Sequence, residues 1–446
     1  MKQESKSPRL AARAALLSLL ALAPLAMAQQ QTGNLFGKVT DDGGQPLPGV
    51  SVSLTGVGAP QNAVTNASGE YRFVNVSPGT YTVRHELSGF SAVTRPNVVV
   101  TVGKNTDLPI SMRLSNVEAA VTVDGGAPLL DTRKISTGAS ISQLELQSIP
   151  TARDPWVVLS SVPGVLMDRA NVGGNESGQQ SSYVAKGSSG NASTWNVDGV
   201  NVTDVGAVGS SPTYYDFDSF QEMQAATGGS DITLMTAGAN LNMVTKRGSN
   251  DTRGSGRVFV TDKRFQSDTN NDEATAQGFS RGNRIDDIQD FGLEAGGAIV
   301  KDRLWLWGSY GRNQINLRTP ATAANPDGFS DKTTLEDLNF KLNAQLMDSN
   351  SATLFYLRGD KIKLGRNADI TRPQETTWDQ KGPTSVYKIE DSHIFSANVF
   401  ATALYSHIDS GFSFTPQGGP NPYAYRSPDG VNHGTYYFYN SVRPQR

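Results

Sequence analysis

The sequence predicts a mainly β protein, and three observations support this fold class. Short runs of alternating apolar and polar residues, separated by turns rich in Gly, Asn, Asp and Pro, occupy residues 33–114. Longer alternating runs follow residue 250 and reach about 10 residues, the length of a strand that crosses a bilayer. Cysteine is absent, so the chain has to be stabilised by packing or by closing a sheet rather than by disulfides.

An export signal is predicted at the N-terminus. Residues 2–13 carry four basic side chains against one acid, and residues 14–25 are almost entirely apolar. Small residues at both ends of 26–28 predict signal-peptidase cleavage between Ala28 and Gln29, so that residues 1–28 are removed. The apolar core is too short for a membrane anchor, which needs about 20 residues. Losing four cations and one anion takes the formal charge from −3 to −6, and the absence of a basic cluster argues against a nucleic-acid partner.

Residues 33–114 are predicted to form a small seven-strand β-sandwich. In one run Val50, Val52 and Leu54 alternate with serine and threonine, as expected of a strand with one buried face. Turn residues such as those at 66–69 separate the runs. About seven short strands at this spacing are typical of a sandwich.

Four segments of this region resemble the carboxypeptidase regulatory-like domain. They are GKVTD at 37–41, PLPGV at 46–50, TNASGEY at 65–71 and PGTY at 78–81. A zinc carboxypeptidase needs clustered His and Glu ligands around an open metal position. The histidines are instead scattered along the chain, at His85, His393, His407 and His433. No catalytic, cofactor-binding or metal site is therefore predicted, and His85 is interpreted as a partly buried strand residue.

The segments between residues 131 and 250 carry a second resemblance. A short amphipathic helix is predicted around Trp156 and Leu159, and two strands within 183–200, the second ending in an Asp-Gly turn. The motifs SFQEMQA at 219–225 and ANLNMVTKRGSN at 239–250 follow. In this order the segments resemble the plug domain of TonB-dependent outer-membrane receptors.

This resemblance implies the rest of the architecture and the partners. In the family, an α+β plug domain fills the lumen of a transmembrane β-barrel that lies in outer-membrane lipid. An external ligand of the siderophore, cobalamin, sugar or peptide class binds on the outer side. Uptake makes and breaks no bond, so neither an enzyme activity nor a cofactor is expected.

A linker with a coupling segment is predicted at residues 115–130, between the sandwich and the plug. The segment consists of Val117, Glu118, Ala119, Ala120, Val121, Thr122 and Val123. It resembles a TonB box, which in the family pairs with a TonB-type energising protein in the periplasm. The physical basis is strand addition, in which an extended peptide offers its backbone groups to the edge of a partner's sheet. An ordinary linker or edge strand is the alternative.

Residues 251–446 are predicted to form the N-terminal part of a partial antiparallel transmembrane β-barrel. Leu338 and Phe340 alternate with Asn339 and Lys341, which predicts apolar side chains towards lipid and polar ones towards the lumen. A soluble sandwich with half-buried strands is the alternative, but strands of about 10 residues or more favour the barrel.

Further features of this region complete the prediction. Trp305, Trp307 and Tyr310 are candidates for an aromatic girdle, and residues 395–407 for one long strand. The 198 residues of 249–446 are fewer than a barrel of about 22 strands of about 10 residues requires. About six to eight strands are expected here. The chain is thus predicted to be a C-terminally truncated fragment.

Two other functions remain open at this stage. One is an outer-membrane adhesin or surface assembly protein that uses the sandwich for attachment, and the other is an accessory domain of a secreted enzyme. Fold alone does not decide among these functions or identify a ligand.

Overall fold

Strands dominate the structure and form three successive parts, which are a sandwich, a central domain with mixed secondary structure and a sheet of long strands. The computed structural model describes residues 31–115, 121–122, 137–149, 152–171, 173–181, 183–204, 209–211, 213–229, 236–267, 271–322, 325–396, 399–419, 423–434 and 439–440. The predicted cleavage site at Ala28 and Gln29 lies outside the described residues. Among those described, no helix has the length and apolar character needed to cross a membrane.

The sandwich contains eight short strands in its described residues. They are β1 Gly33–Asp41, β2 Ser51–Thr55, β3 Gln61–Val64, β4 Glu70–Val76, β5 Gly79–Glu86, β6 Val93–Val100, β7 Asn105–Asp107 and β8 Ile110–Met112. One sheet has the order β4-β1-β7, with β8 also paired to β1, and the other has β3-β2-β5-β6. Alternate side chains of both sheets, such as Leu35 and Val39 in β1 and Val52 and Leu54 in β2, fill one core. The described strands thus exceed the predicted seven by one, and they include β3, an edge strand with an exposed Val64 and no fully buried residue.

His85 lies deeper in this core than the sequence suggested. Its side chain in β5 is fully buried, and its ring lies 5.2 Å from that of Tyr71. Burial disfavours the charged imidazolium and lowers the pKa of His85 to about 4. The expectation of a partly buried position was wrong, and the histidine is a neutral core residue at pH 7.

The central domain combines two short helices with two small sheets. The helices are α1 Gln143–Ser148 and α2 Pro155–Leu159. Strand β9 Val121–Thr122 lies in the linker that precedes this domain. The strands of the central domain are β10 Thr137–Ser142, β11 Val165–Met167, β12 Tyr183–Ala185, β13 Ser188–Ser189, β14 Thr194–Val197, β15 Val200–Asn201, β16 Phe220–Gly228 and β17 Asn240–Thr245. One sheet has the order β10-β16-β17-β14-β15, in which β14 and β17 run parallel, and the other has the order β11-β12-β13.

Helix α2 forms where the sequence predicted it, for identifiable local reasons. The carboxylate of Asp154 accepts a hydrogen bond from the backbone N–H of Trp156 at 2.8 Å, which caps the helix. Pro155 occupies the first helical position, where its missing N–H costs nothing. Trp156 and Leu159 are both buried, and the Trp156 ring lies 5.3 Å from that of Trp195. The helix thus anchors the core of the central domain.

The third part is an antiparallel sheet whose long strands follow one another in sequence order. Its long members are β18 Arg253–Asp262, β20 Arg284–Val300, β21 Leu304–Arg318, β23 Ser330–Met347, β24 Asn350–Arg366, β25 Trp378–Ser396 and β26 Val399–Ser410. The shorter strands of this region are β19 Phe279–Arg281, β22 Ala321–Thr322, β27 Ser413–Pro416, β28 Tyr425–Arg426, β29 Asn432–His433 and β30 Tyr439–Asn440. Helix α3 Asp272–Ala276 and the 3-10 turns Gly190–Ala192, Phe217–Ser219, Lys263–Phe265 and Gln374–Thr376 complete the described elements.

Strand boundaries differ from the prediction at one place in this sheet. The sequence suggested one strand over 395–407, whereas β25 ends at Ser396 and β26 begins at Val399. The two strands pair antiparallel, with Ile394 opposite Phe400. The seven long strands agree with the expected number of six to eight.

Acid should destabilise the sandwich selectively through His85. The histidine stays neutral in the folded domain but protonates freely when the chain is unfolded. Its contribution to the free energy of unfolding is therefore complete above about pH 6.5. It is lost as the pH falls from about 6.5 towards 4, with a total loss of up to about 3 kcal/mol. Amide hydrogen exchange of β5, followed from neutral pH to about pH 4, measures this loss of stability. His85→Phe should flatten this pH dependence, and an unchanged slope would contradict the assignment.

Candidate functional site

The sheet of long strands has two faces of opposite character. In β23, Leu338 and Phe340 are 45% and 43% exposed, whereas the alternating Asn339 and Lys341 are only 2% and 6% exposed. A soluble sheet would bury its apolar face and expose its polar one. The alternation predicted from the sequence is confirmed, and it is inverted relative to a soluble protein.

The outward apolar side chains form a continuous row across neighbouring strands. Direct cross-strand partners place Leu306, Leu342, Leu354, Ile389 and Tyr405 side by side on β21, β23, β24, β25 and β26. The last three of them are all exposed. Soluble monomers seldom present an extended apolar surface of this kind, whereas a lipid-facing wall requires one.

The inward face of the long strands packs against the central domain. Apolar side chains of the strands join the core of that domain at Leu335, Phe355, Leu357, Val386 and Ile408. Around this apolar patch, the contacts are mainly hydrogen bonds and ion pairs. We call this contact region the plug–wall joint.

Two lysines of the wall bind the Asp-Gly turn after β14. Lys341 Nζ lies 2.8 Å from Asp198 Oδ2 and also donates to the carbonyl of Thr245 at 3.0 Å. Lys388 Nζ donates to the backbone carbonyl of Asp198 at 2.6 Å. Asp198 has a left-handed backbone, with φ +46°, and its carboxylate also accepts from the N–H of Thr245 at 3.1 Å. The turn recognised in the sequence is therefore an acceptor site for the wall.

A third lysine enters the polar loop that follows β11. Lys361 Nζ donates to the carbonyl of Gly178 and lies 3.2 Å from the hydroxyl of Tyr214. A Cβ at residue 178 would lie 2.9 Å from Leu335, and φ is +74°, so glycine is required for this close approach. Burial raises the pKa of the nearby Asp154 to about 7, against the opposing effect of Lys361.

The densest charge cluster of the joint combines two arginines with three carboxylates. Arg257 of β18 lies 2.8 Å from Asp216, 2.9 Å from Asp218 and 3.1 Å from Asp290. Arg153 of the central domain lies 2.5 Å from Asp218 and 3.2 Å from Asp290. Each arginine thus bridges an acid of the central domain and Asp290 of the wall strand β20. The acids at 216 and 218 were not singled out from the sequence, and they lie at the N-cap and within the 3-10 turn Phe217–Ser219, where no strand periodicity marks them.

The predicted coupling segment is described only in part. Val121 and Thr122 form β9, which pairs parallel to β6 of the sandwich opposite Val93 and Thr94. Val117, Glu118, Ala119, Ala120 and Val123 lie outside the described residues. The structure therefore places two residues of the segment beside the sandwich and leaves its role as a prediction.

Two of the predicted girdle residues face the wrong way. Trp305 and Trp307 are buried on the inward face, where Trp305 Nε1 donates to Asn250 Oδ1 at 2.9 Å. Tyr310 has the opposite parity in β21 and its ring lies 6.3 Å from that of Phe291 on the adjacent strand. The girdle assignment was wrong for both tryptophans. Among the described residues, no group of three or more His, Cys, Asp and Glu side chains is arranged to hold a metal ion.

Known proteins support this architecture. Residues 34–113 match the carboxypeptidase regulatory-like domain family. The chain is 26% identical over 303 residues to the TonB-dependent transporter Oar of Myxococcus xanthus, which covers 63% of this chain and 26% of that protein. The chain is therefore similar to a TonB-dependent transporter, and its residues 34–113 match the carboxypeptidase regulatory-like domain. It spans about a quarter of the length of this curated relative.

Solved outer-membrane receptors are also similar. The outer membrane transporter YddB of Escherichia coli shares 13% identity at a TM-score of 0.46, covering 63% of this chain and 40% of that one. A mutant of the ferric enterobactin receptor PfeA of Pseudomonas aeruginosa, solved with enterobactin, shares 12% identity at a TM-score of 0.47, covering 69% and 45%. The three proteins named above are transporters or receptors.

Replacing Arg257 with alanine should loosen the plug–wall joint. The substitution leaves Asp216, Asp218 and Asp290 close together, with Arg153 as the remaining arginine of the cluster. Removing one partner of a buried ion pair costs about 3–5 kcal/mol. Amide exchange of β16 in the intact chain measures the loss. Arg264→Ala is the matched control, because this side chain is 78% exposed and pairs only with Asp262 among its described contacts. Equal exchange in both variants would contradict the proposed contribution of Arg257 to the stability of the plug–wall joint.

Proposed function

We propose that this chain belongs to a TonB-dependent receptor that takes up an external ligand across the outer membrane. In this proposal residues 33–114 are a periplasmic sandwich, 115–130 a linker with the coupling segment, 131–250 the plug and 251–446 the first part of the barrel wall. The observation that carries the proposal is the inverted sheet. Its polar face binds the central domain, and its apolar row is turned outwards.

The inverted faces support a membrane wall for a physical reason. Lys341 is buried against the plug, where it donates to the carbonyl of Thr245 and pairs with Asp198. Asn343, buried on the same face, donates to the hydroxyl of Thr353 on the neighbouring wall strand. The opposite row at Leu354, Ile389 and Tyr405 would remain in contact with water in a soluble protein at a large hydrophobic cost. Outer-membrane lipid removes that cost, so we infer lipid as the partner of this face.

The ligand class follows only from the relatives and stays broad. Siderophores, cobalamin, sugars and peptides are all candidates, and each would bind on the outer side of the plug and at the wall loops. A TonB-type energising protein in the periplasm would bind the coupling segment by strand addition. Traction on the segment would then rearrange the plug without any chemical step.

Cysteine crosslinking tests the coupling segment. The chain contains no cysteine, so a single Val121→Cys substitution gives one reactive position. We expect this variant of the full-length receptor to crosslink to a cysteine-bearing energising protein in intact cells. Ser111→Cys, at an exposed position of β8, is the matched control and should not crosslink. Equal yields at the two positions would remove the assignment of residues 117–123.

The wall is tested separately by extraction. The mature receptor should partition with outer membranes and need detergent for release. Recovery as a water-soluble periplasmic monomer would contradict the lipid-facing sheet and would favour an attachment protein instead.

A further inference from the structure

A buried carboxylate joins the sandwich to the central domain. Glu222 lies in β16 and is 4% exposed. Its Oε2 accepts a hydrogen bond from the backbone N–H of Val102 at 3.1 Å. Val102 is itself buried and lies in the connection from β6 to β7 of the sandwich. A carboxyl side chain of the central domain thus satisfies a backbone donor of the neighbouring domain.

The same carboxylate also holds the first strand of the central domain. Its Oε1 accepts hydrogen bonds from the hydroxyl of Ser140 in β10 and from Nε2 of Gln224 at 2.8 Å. Gln224 Nε2 in turn donates to the carbonyl of Val102. The sandwich, β10 and β16 therefore share one anion, which we call the Glu222 anchor.

Strand β10 depends on this anchor because its other contacts are few. It is the edge strand of its sheet and, in the described residues, pairs only with β16, from Thr137 opposite Gly228 to Ser142 opposite Glu222. Ile141 is its only buried side chain. An edge strand with so little apolar burial opens at low free energy unless a specific contact retains it.

Strand β10 is the first described strand after the linker, so a pull on the linker is transmitted to it. It begins at Thr137, after the linker that carries the predicted coupling segment, whereas the sandwich ends on the other side of the same linker. Tension on the linker therefore acts on β10 at one end and on the sandwich at the other. The two domains that the linker joins meet at the Glu222 anchor, whereas the sandwich end of the linker is held separately, where the N–H of Ser115 donates to the carbonyl of Gly89.

We propose that Glu222 is a positioning residue that couples docking of the sandwich to retention of β10, so that the strand is released only when the sandwich leaves. The functional sense of this coupling rests on the proposed receptor function. Removal of either partner leaves a buried anion with too few donors, which destabilises its contacts with the other.

Two further observations support the anchor. Burial raises the pKa of Glu222, and its hydrogen bonds and the nearby Lys104 offset part of that rise, as expected of donors directed at the carboxylate. A second polar contact, from Arg247 after β17 to the hydroxyl of Ser77, docks the sandwich on the same domain. The sandwich is thus attached through polar groups at two places.

Hydrogen exchange on the intact chain, without any partner, tests the coupling. In Glu222→Ala we expect the amides of β10 to exchange at least about tenfold faster, as loss of hydrogen bonds to a charged group implies. The amide of Val102, in the other domain, should lose protection together with them. Glu222→Gln keeps the shape and one acceptor oxygen and should recover part of the protection at both places.

Met223→Ala is the matched control for a merely structural role. Met223 neighbours Glu222 in β16, is fully buried and lies directly opposite Ile141, so its loss destabilises the central domain as a whole. We expect faster exchange in β10, β16 and β17 alike, with Val102 unchanged. If Glu222→Ala gives this same pattern, or leaves Val102 protected, the coupling is refuted. The exchange experiment contains no energising protein, so that result would not bear on the assignment of the coupling segment. The crosslinking experiment tests that assignment separately.

Discussion

The structure depends on one constraint, which is that the polar face of the long-stranded sheet must be satisfied by the central domain. Lys341, Lys361, Lys388 and Arg257 all point into this joint and are largely withdrawn from water. A buried charge without a partner costs several kcal/mol, so each requires an acceptor at a defined place. The loops of the central domain supply these acceptors, and this need explains why segments rich in Gly, Ser and Asn have defined conformations there.

The joint is not uniform in strength. On the side of β18 and β20, two arginines bridge three carboxylates in a closed network. On the side of β24 and β25, the contacts of Lys361 and Lys388 with the central domain are mostly to backbone carbonyls and a tyrosine hydroxyl, and the ion pair of Lys388 with Glu390 lies within β25 itself. Contacts between a cation and a neutral acceptor are weaker than those with an ionised partner. The central domain is therefore held most firmly beside β18, and the lysine side is the easier one to hydrate and separate.

The sequence predicts a structural feature correctly where the local pattern of apolar and polar residues fits only one structure. The parity of Leu338, Asn339, Phe340 and Lys341 identified both faces of β23 correctly, and the residues around Trp156 identified α2. In residues 304–307 leucine and tryptophan alternate, so both parities are apolar and the inward position of the tryptophans could not be predicted. Residues 397–398 are Ala-Asn and contain neither Gly nor Pro, so a single turn-favouring residue was the only sign of a boundary between β25 and β26.

Partners that are distant in sequence explain the remaining errors and omissions. Glu222 contacts Val102 across 120 residues, and nothing near either residue indicates the other. His85 illustrates the same limit. Its alternating strand predicts an inward side chain, but complete burial arises only from the opposing sheet, which contributes Tyr71. Local periodicity gives the direction of a side chain, whereas its depth depends on elements that periodicity does not describe.

The chemistry inside each part differs from the chemistry between parts, and this difference bears on how the protein can move. The sandwich core is almost wholly apolar, as at Leu35, Val52 and Val83, so it behaves as one cooperative body. The contacts around Glu222 and Arg257 are instead polar. Opening an apolar joint exposes surface that water does not stabilise, but charged groups regain hydration when they separate. A polar joint therefore fixes a specific docked geometry and still costs less to open than an apolar one of equal area.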